Sequence, residues 1–454
     1  MLDKLINLIK SFFIGHERTV KAKKNIVLSI FIKGMSMVVG FLMVRITLDY
    51  LDKTTYGIWL TLTSFFAWFT FFEVGLGNGL KNKLAEALAV KDYELGKAYV
   101  STTYAILTMV VSIVAISFFI GNFFIDWTSI LNTDKELLNQ LRNLTFIVFG
   151  FFFLRFVLQL IDIVLFADQR PAIGNALGPI GNLIVLIIIY ILTKTTEGSL
   201  IYLGWVLSVV PVIVLIVATI YFYTHDYKLI APSLKYVKME YAKDLLNLGV
   251  KFFFIQIVGL IVYQSSNIII AQYFGPSEVT VYNIAYKYFS ILMMAFTIIV
   301  APFWSAYTEA WVKNDVVWIK NTVKKLLMIW GGLSLGGIVM LLFAQQFYHL
   351  WIGDKVTIPF DLSFVLLIYF ITYNFGGIFV MFINGIGKIK LQMYTSAIGA
   401  LVFISIALVL IKYFEVGIIG LIIASIVSNF YGLILAPIQF SKLINKKASG
   451  IWNK

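Results

Sequence analysis

Long apolar stretches recur along the chain, separated by short polar turns. A helix needs roughly 20 apolar residues to cross a hydrocarbon core. The pattern predicts twelve spans: 25–48, 55–75, 98–121, 141–167, 171–193, 199–223, 249–273, 280–302, 324–347, 360–384, 389–411 and 416–440. The predicted fold class is therefore an all-α polytopic membrane protein with twelve transmembrane helices. Residues 1–24 are basic and precede a full-length span, so the first helix is expected to act as a signal anchor. Within them "LINLIKSFFIG" suits a short helix lying on the membrane surface.

Composition agrees. Of 454 residues 60% are hydrophobic and 13% charged, too few charges to cover a water-soluble surface. The chain has no cysteine, which excludes disulfides and thiolate chemistry. His16, His225 and His349 fall in polar segments, and no HExxH or carboxylate cluster accompanies them. Neither a metal nor a cofactor is expected.

The net charge of +13 gains meaning from its placement. Lysines and arginines alternate from loop to loop, 25 on one side and six on the other: Lys53, Lys135, Arg142, Lys194, Lys355 and Lys412. The positive-inside rule puts both termini in the cytoplasm. The surplus then reads as an orientation signal and contact with anionic membrane lipid, and no nucleic-acid partner is expected.

A shift of 223 residues lays "YLDKTTYGIW" (50–59) over "YFGPSEVTVY" (273–282), and "LAEALAVKD" (84–92) over "YTEAWVKND" (307–315). Six predicted spans precede the basic loop 226–248 and six follow it. The expected organisation is two pseudo-symmetric six-helix bundles, residues 1–225 and 226–454, in the same orientation. Transporters built from such repeats often bind substrate at the repeat interface.

The glycine cluster "EVGLGNGLKNKLAEAL" (73–88) raises the question of a phosphate cradle. It follows an apolar helix, matches neither GxxxxGK[ST] nor GxGxxG, and its counterpart "IVAPFWSAYTEAW" (298–310) has no glycine. Gly75, Gly77 and Gly79 are therefore expected to close the second span at the cytoplasmic face. The sequence after them reads as an amphipathic connector.

The segments "YLDKTTYGIWLTLTSF", "FFEVGLGNGLKNKLAEAL", "YFGPSEVTVYNIAYKYF" and "APFWSAYTEAW" resemble bacterial oligosaccharide (O-antigen type, Wzx-like) flippases. These are polysaccharide biosynthesis proteins of the MOP exporter superfamily, which also holds the multidrug MATE antiporters. One departure is visible: the first copy reads "LDKTTYG" where the family has an LGPxxYG-like turn, whereas the second keeps Gly275–Pro276. The resemblance implies a V-shaped, MATE/MOP-like pair of bundles around a central cavity, in the bacterial inner (cytoplasmic) membrane. It implies a flippase, not an enzyme, that moves an undecaprenyl-pyrophosphate-linked oligosaccharide from the cytoplasmic to the outer leaflet by alternating access. It also implies a polysaccharide polymerase or export machinery as a partner.

Ionisable residues inside spans are costly and point to a pathway or a buried partner. The basic candidates for a cationic lumen are Arg155, Lys33, Lys287, Arg45 and Lys251, and the acids are Asp162 and Glu73. Lys33 shares a helical stripe with Ser29, Ser36 and Gly40, Lys287 shares one with Asn283 and Ser290, and Arg155 shares a face with Gln159 and Asp162. Arginine grips phosphate bidentately and lysine acts as a point charge. Structural readings stand beside these. Arg155 and Asp162 can neutralise each other, Lys251 and Arg45 can reach the headgroups, and Glu73 can pair with a nearby lysine. Asp162 and Glu73 are also the candidate coupling carboxylates. Gln159, Gln264, Asn267, Asn283, Tyr373 and Asn374 suit sugar hydroxyls and suit helix–helix hydrogen bonds equally.

Two other functions compete. A MATE-like drug/cation antiporter calls for acidic interior groups, while the deep charges here are mostly basic. A membrane-embedded sugar polymerase calls for a folded external loop, and the predicted outer loops near 122–140 and 348–359 are short.

Overall fold

The computed structural model describes residues 17–69, 76–168, 170–242, 265–300 and 303–453. The predicted surface helix at 5–15 lies outside them. The principal helices are α1 (Glu17–Tyr50), α2 (Lys53–Phe69), α3 (Leu76–Ala89), α4 (Tyr93–Asn122), α5 (Leu138–Leu158), α6 (Leu160–Ala167), α7 (Pro171–Thr195) and α8 (Leu200–Thr224). There follow α9 (Pro276–Val300), α10 (Phe303–Val312), α11 (Val316–Leu342), α12 (Phe360–Gly385), α13 (Lys390–Lys412), α14 (Ile418–Ser428) and α15 (Ala436–Ile444). A further helical stretch covers 265–274.

Among the described residues nine helices are long and apolar enough to cross a membrane, and α14 with α15 adds a tenth if that bent pair is one span. The chain is a multi-pass membrane protein. The expected count of twelve is not reached among the described residues, because the predicted spans 55–75 and 249–273 both run into residues outside them. The described part of the first of these, α2, is 17 residues long.

Three predicted boundaries change. The stretch 141–167 lies within one candidate span, Lys135–Ala167, but its helix is interrupted at Gln159, whose ψ of −5° separates α5 from α6. Asp162 N–H then donates to the Gln159 carbonyl, three residues back rather than four (3.0 Å). The stretch 416–440 is α14 and, bent from it by 41° at the break after Ser428, a second segment that opens with a π-helical turn at Tyr431–Leu435 and continues as α15. And α11 begins at Val316, eight residues before the predicted 324, because Lys320, Lys324 and Lys325 extend the helix beyond its apolar part without breaking it.

The glycines also differ from expectation. Gly77 and Gly79 do not close a helix: they are buried in the opening turn of α3. Leu76, Leu80, Leu84 and Ala87 form the buried stripe of an amphipathic α3.

The 223-residue register holds in the backbone. Lys53 and Pro276 open α2 and α9, and Tyr93 and Val316 open α4 and α11. Lys91 and Asn314 both adopt left-handed φ, 60° and 55°. Asp92 and Asp315 then cap the next helix through Leu95 N–H (2.9 Å) and Trp318 N–H (3.0 Å).

The chain divides into two compact units. The first takes residues up to Asp52, Phe69–Ser129 and Asp134–Phe253. In it α8 packs on α5 through Gly204, where a Cβ would lie 2.4 Å from Leu144 Cδ1. Small residues give membrane helices such close contact, because lipid removes the hydrophobic drive between them. The loop after α8 is fastened to α4: Ser233 N–H donates to Ser101 Oγ (3.0 Å), Lys238 N–H to Thr102 Oγ1 (2.9 Å), and the Tyr241 ring lies 5.0 Å from that of Tyr99.

The second unit takes Lys53–Trp68, Ile130–Thr133 and the chain from Phe254 onward. One core gathers Tyr307, Ile319, Leu326 and Phe382 from α10, α11 and α12. Another gathers Ile270, Val279, Phe403 and Leu421, with Leu60 of α2 packed against it. The start of α2 is held on the start of α9. Lys53 pairs with Glu278 (3.2 Å), Thr280 Oγ1 donates to the Lys53 carbonyl (2.8 Å), and Gly57 lies against the Pro276 carbonyl. Asn132 Nδ2 donates to the Ala271 carbonyl (3.0 Å).

Candidate functional site

The deepest charges of the first unit follow from the break at Gln159. Phe153 and Phe156 turn into the core from the last turns of α5, and Arg155, between them in sequence, is left exposed. Asp162 enters in the first turn of α6 and is half-buried, with its Oδ1 buried and without a hydrogen-bond partner. Arg155 and Asp162 lie within each other's electrostatic reach, but no ion pair or hydrogen bond joins them among the described residues. Tyr104 of α4 is also close enough to feel the Asp162 charge. Its hydroxyl lies 3.4 Å from that of Tyr223 on α8.

Four helices thus bring one guanidinium, one carboxylate and two phenols into one region of a membrane-embedded unit. An exposed guanidinium can bind phosphate through paired N–H donors. A carboxylate that accepts few hydrogen bonds can exchange a proton or receive a cation.

The other predicted residues are more dispersed. Lys33 and Arg45 are exposed on α1, and Gln159 is half-buried at the break. In the second unit Lys287 is half-buried on α9, and Ser290 of its stripe donates to the Lys287 carbonyl (2.8 Å). Asn283 donates to Asn267 Oδ1 (2.9 Å) and to the Val279 carbonyl (2.8 Å). Tyr373 is half-buried, its ring 6.0 Å from that of Tyr369. Asn374 is 2% exposed and donates to the Leu292 carbonyl (3.2 Å), so it joins α12 to α9. Glu73, Lys251 and Gln264 lie outside the described residues. Among the described residues no group of three or more His, Asp or Glu is arranged to hold a metal ion.

Sequence reasoning did not single out Tyr104 and Tyr223, although polar groups within predicted spans were the available signal. It also missed a clasp outside the spans. Arg170 bridges Asp168 (2.9 Å) and Asp226, and Tyr227 O–H donates to Asp168 (2.9 Å). The hydrogen bond to Asp226 raises the Arg170 guanidinium further above its ordinary range. Burial, followed by the Asp168 bond, raises the Tyr227 phenol.

This all-helical architecture is similar to that of solved MATE family transporters of the MOP superfamily. A solved multidrug-resistance MATE family transporter of that superfamily, in an inward-facing conformation, superposes with a TM-score of 0.78 over 93% of this chain and 100% of its own, at 14% identity. Residues 186–356 match the family model described as "Polysaccharide biosynthesis protein". A Yersinia pseudotuberculosis protein named for O-antigen export is 21% identical over 57% of this chain and 58% of its own length. A Salmonella typhi protein named for O-antigen transport is 23% identical over 56% and 57%. The chain thus spans a little over half the length of these curated relatives. It resembles the Wzx-like, polysaccharide-biosynthesis branch of the MOP superfamily.

Proposed function

We propose that the protein is a flippase that moves a polyprenyl-pyrophosphate-linked oligosaccharide from the cytoplasmic to the outer leaflet of the bacterial inner membrane. The observation that carries this reading is Arg155, exposed at a helix break inside a span, in a chain similar to proteins named for O-antigen export. Exposing a guanidinium at that depth is costly unless it meets an anion or water. The pyrophosphate of a lipid-linked sugar is such an anion.

The reading includes twelve spans in two halves, 1–225 and 226–454, with both termini cytoplasmic, and alternating access through a cationic lumen. Arg155, Lys33 and Lys287, with Arg45 and Lys251, draw in the pyrophosphate and any acidic sugars. Asp162 or Glu73 couples the cycle to an ion gradient. The protein transports and does not catalyse a covalent step. A polysaccharide polymerase or export complex takes up the product.

Lipid mass spectrometry on cells lacking the protein tests this. Polyprenyl-pyrophosphate oligosaccharide accumulates and surface polymer falls if the reading holds. Normal lipid intermediates, in a strain with no second flippase, overturn it and bring forward a drug/cation antiporter, for which Asp162 is the natural cation partner.

A further inference from the structure

The second unit contains a cleft that the charges above do not use. Five hydroxyls line it: Ser266, Tyr282, Tyr286, Tyr369 and Ser425. Leu366 and Ile422 complete its wall. Tyr282 and Tyr286 are one turn apart on α9 and so share a face. Tyr369 comes from α12, Ser425 from α14 and Ser266 from the stretch 265–274.

The tyrosines are ordered as a set. The Tyr282 ring lies 5.7 Å from that of Tyr286, which lies 6.4 Å from that of Tyr369. Phe370 supports Tyr286 at 5.1 Å. The Tyr282 hydroxyl bonds to Ser266, and the Tyr286 hydroxyl to Tyr369. Ser425 Oγ donates to the Leu421 carbonyl (3.0 Å). Tyr282, Tyr286 and Ser425 are half-buried, so the cleft is reachable, while Ser266 and Tyr369 are buried behind them.

The lining selects its occupant. The space is about 10 Å³, the room of one water-sized group. Among the described residues no charged side chain lines it. A phosphate or carboxylate would lose its hydration there without a cation to replace it. Each hydroxyl oxygen carries two acceptor lone pairs, more than the bonds among the lining residues use, and an apolar group would leave those that face it without a partner. A group that both donates and accepts, carried on a small neutral body, meets both conditions. Water is one such group and a sugar hydroxyl is another. The aromatic rings, Leu366 and Ile422 add apolar surface of the kind that the C–H face of a sugar ring covers.

We propose that this cleft is a hydroxyl-reading subsite, which admits one hydroxyl of a neutral sugar residue and so discriminates among oligosaccharides independently of the charges that hold the pyrophosphate. This rests on the flippase reading, since it takes the sugar portion of that substrate as its ligand.

The test uses the full chain in nanodiscs of lipids without sugar headgroups. Neutral methyl glycosides of hexoses and N-acetylhexosamines serve as probes, read by saturation-transfer NMR. At least one glycoside takes up saturation from the unmodified protein. Its affinity falls about fivefold for each hydrogen bond removed in Tyr286→Phe with Tyr369→Phe, which keeps both rings, and in Ser425→Ala. Removing one particular hydroxyl from the glycoside has the same effect. If no glycoside binds, the cleft takes water alone and the proposal fails. If binding survives both variants, the sugar sits elsewhere and the proposal also fails. The flippase reading fails separately, on the lipid intermediates of the deletion strain, whatever the glycosides do.

Discussion

Asp92 and Asp315, 223 residues apart, form the same cap: each follows a left-handed residue and accepts from the N–H three residues on, at 2.9 and 3.0 Å. The N–H of each aspartate also reaches the carbonyl five residues back, Ala87 at 2.9 Å and Ala310 at 2.8 Å. Two helix ends that correspond in the repeat are thus closed by one geometry.

Replacing Asp92 or Asp315 by alanine leaves orphan N–H groups in the first turn of α4 or α11. Each change is expected to cost about 1 kcal/mol, and asparagine to recover most of it. Thermal unfolding in one detergent reads the difference. Equal midpoints for Asp315→Ala and the unmodified protein would remove the cap from the account.

Gly57→Ala is expected to dislodge α2. The added Cβ would lie 1.7 Å from the Pro276 carbonyl oxygen, which is backbone and cannot rotate aside. The helix must shift, at a cost of about 1–3 kcal/mol. Hydrogen exchange of residues 53–66 rises as a result. Gly331→Ala, where nothing stands within 4 Å, is the control and leaves exchange there unchanged.

Arg170→Ala releases Asp168 and Asp226, which then lack their shared cation. The loss is expected to be on the order of 1 kcal/mol, because the groups are partly exposed and screened. High salt narrows the gap between variant and unmodified protein. A gap that does not change with salt would point to lost packing on Tyr227 instead.

Arg155→Gln is expected to lower surface-polymer output about tenfold, equivalent to roughly 1.4 kcal/mol of lost binding. Arg155→Lys keeps the charge without the bidentate fork and falls between. Asp162→Asn, if that carboxylate couples transport, removes the response to a proton gradient in vesicles while binding of inorganic pyrophosphate persists. Full output from Arg155→Gln would remove that residue from the site.

The all-helical, multi-pass character was legible because an apolar stretch of about 20 residues has few alternatives to a membrane helix. The repeat was legible at its polar punctuation, where Asp92 lies over Asp315. The break at Gln159 was not, since neither proline nor glycine marks it and the apolar run continues through it. The early start of α11 was hidden because lysines suit a helix as well outside the apolar part as a loop. Gly77 and Gly79 misled because glycine marks the end of one helix and the opening turn of the next alike, and only the start of α3 at Leu76 separates the two.

Within the candidate site, Arg155 and Asp162 could be read because charge inside a span is expensive. Tyr104 and Tyr223 escaped because tyrosine is equally at home between helices and at an interface. The Arg170 clasp escaped for a different reason: its partners lie in two loops, and no periodicity connects 168 with 226.

The π-helical turn at Tyr431–Leu435 has a consequence for anyone comparing this chain with its relatives. Such a turn carries one residue more than the α-helix it interrupts, which advances everything beyond it by about 100° around the axis. Gln439, buried and bonded to the Lys388 and Trp452 carbonyls, lies four residues beyond that turn. A relative whose last helix is continuous needs a one-position gap here. Without it, every column after 435 pairs an inward-facing residue with an outward-facing one, and buried polar positions such as 439 look variable when they are only out of phase.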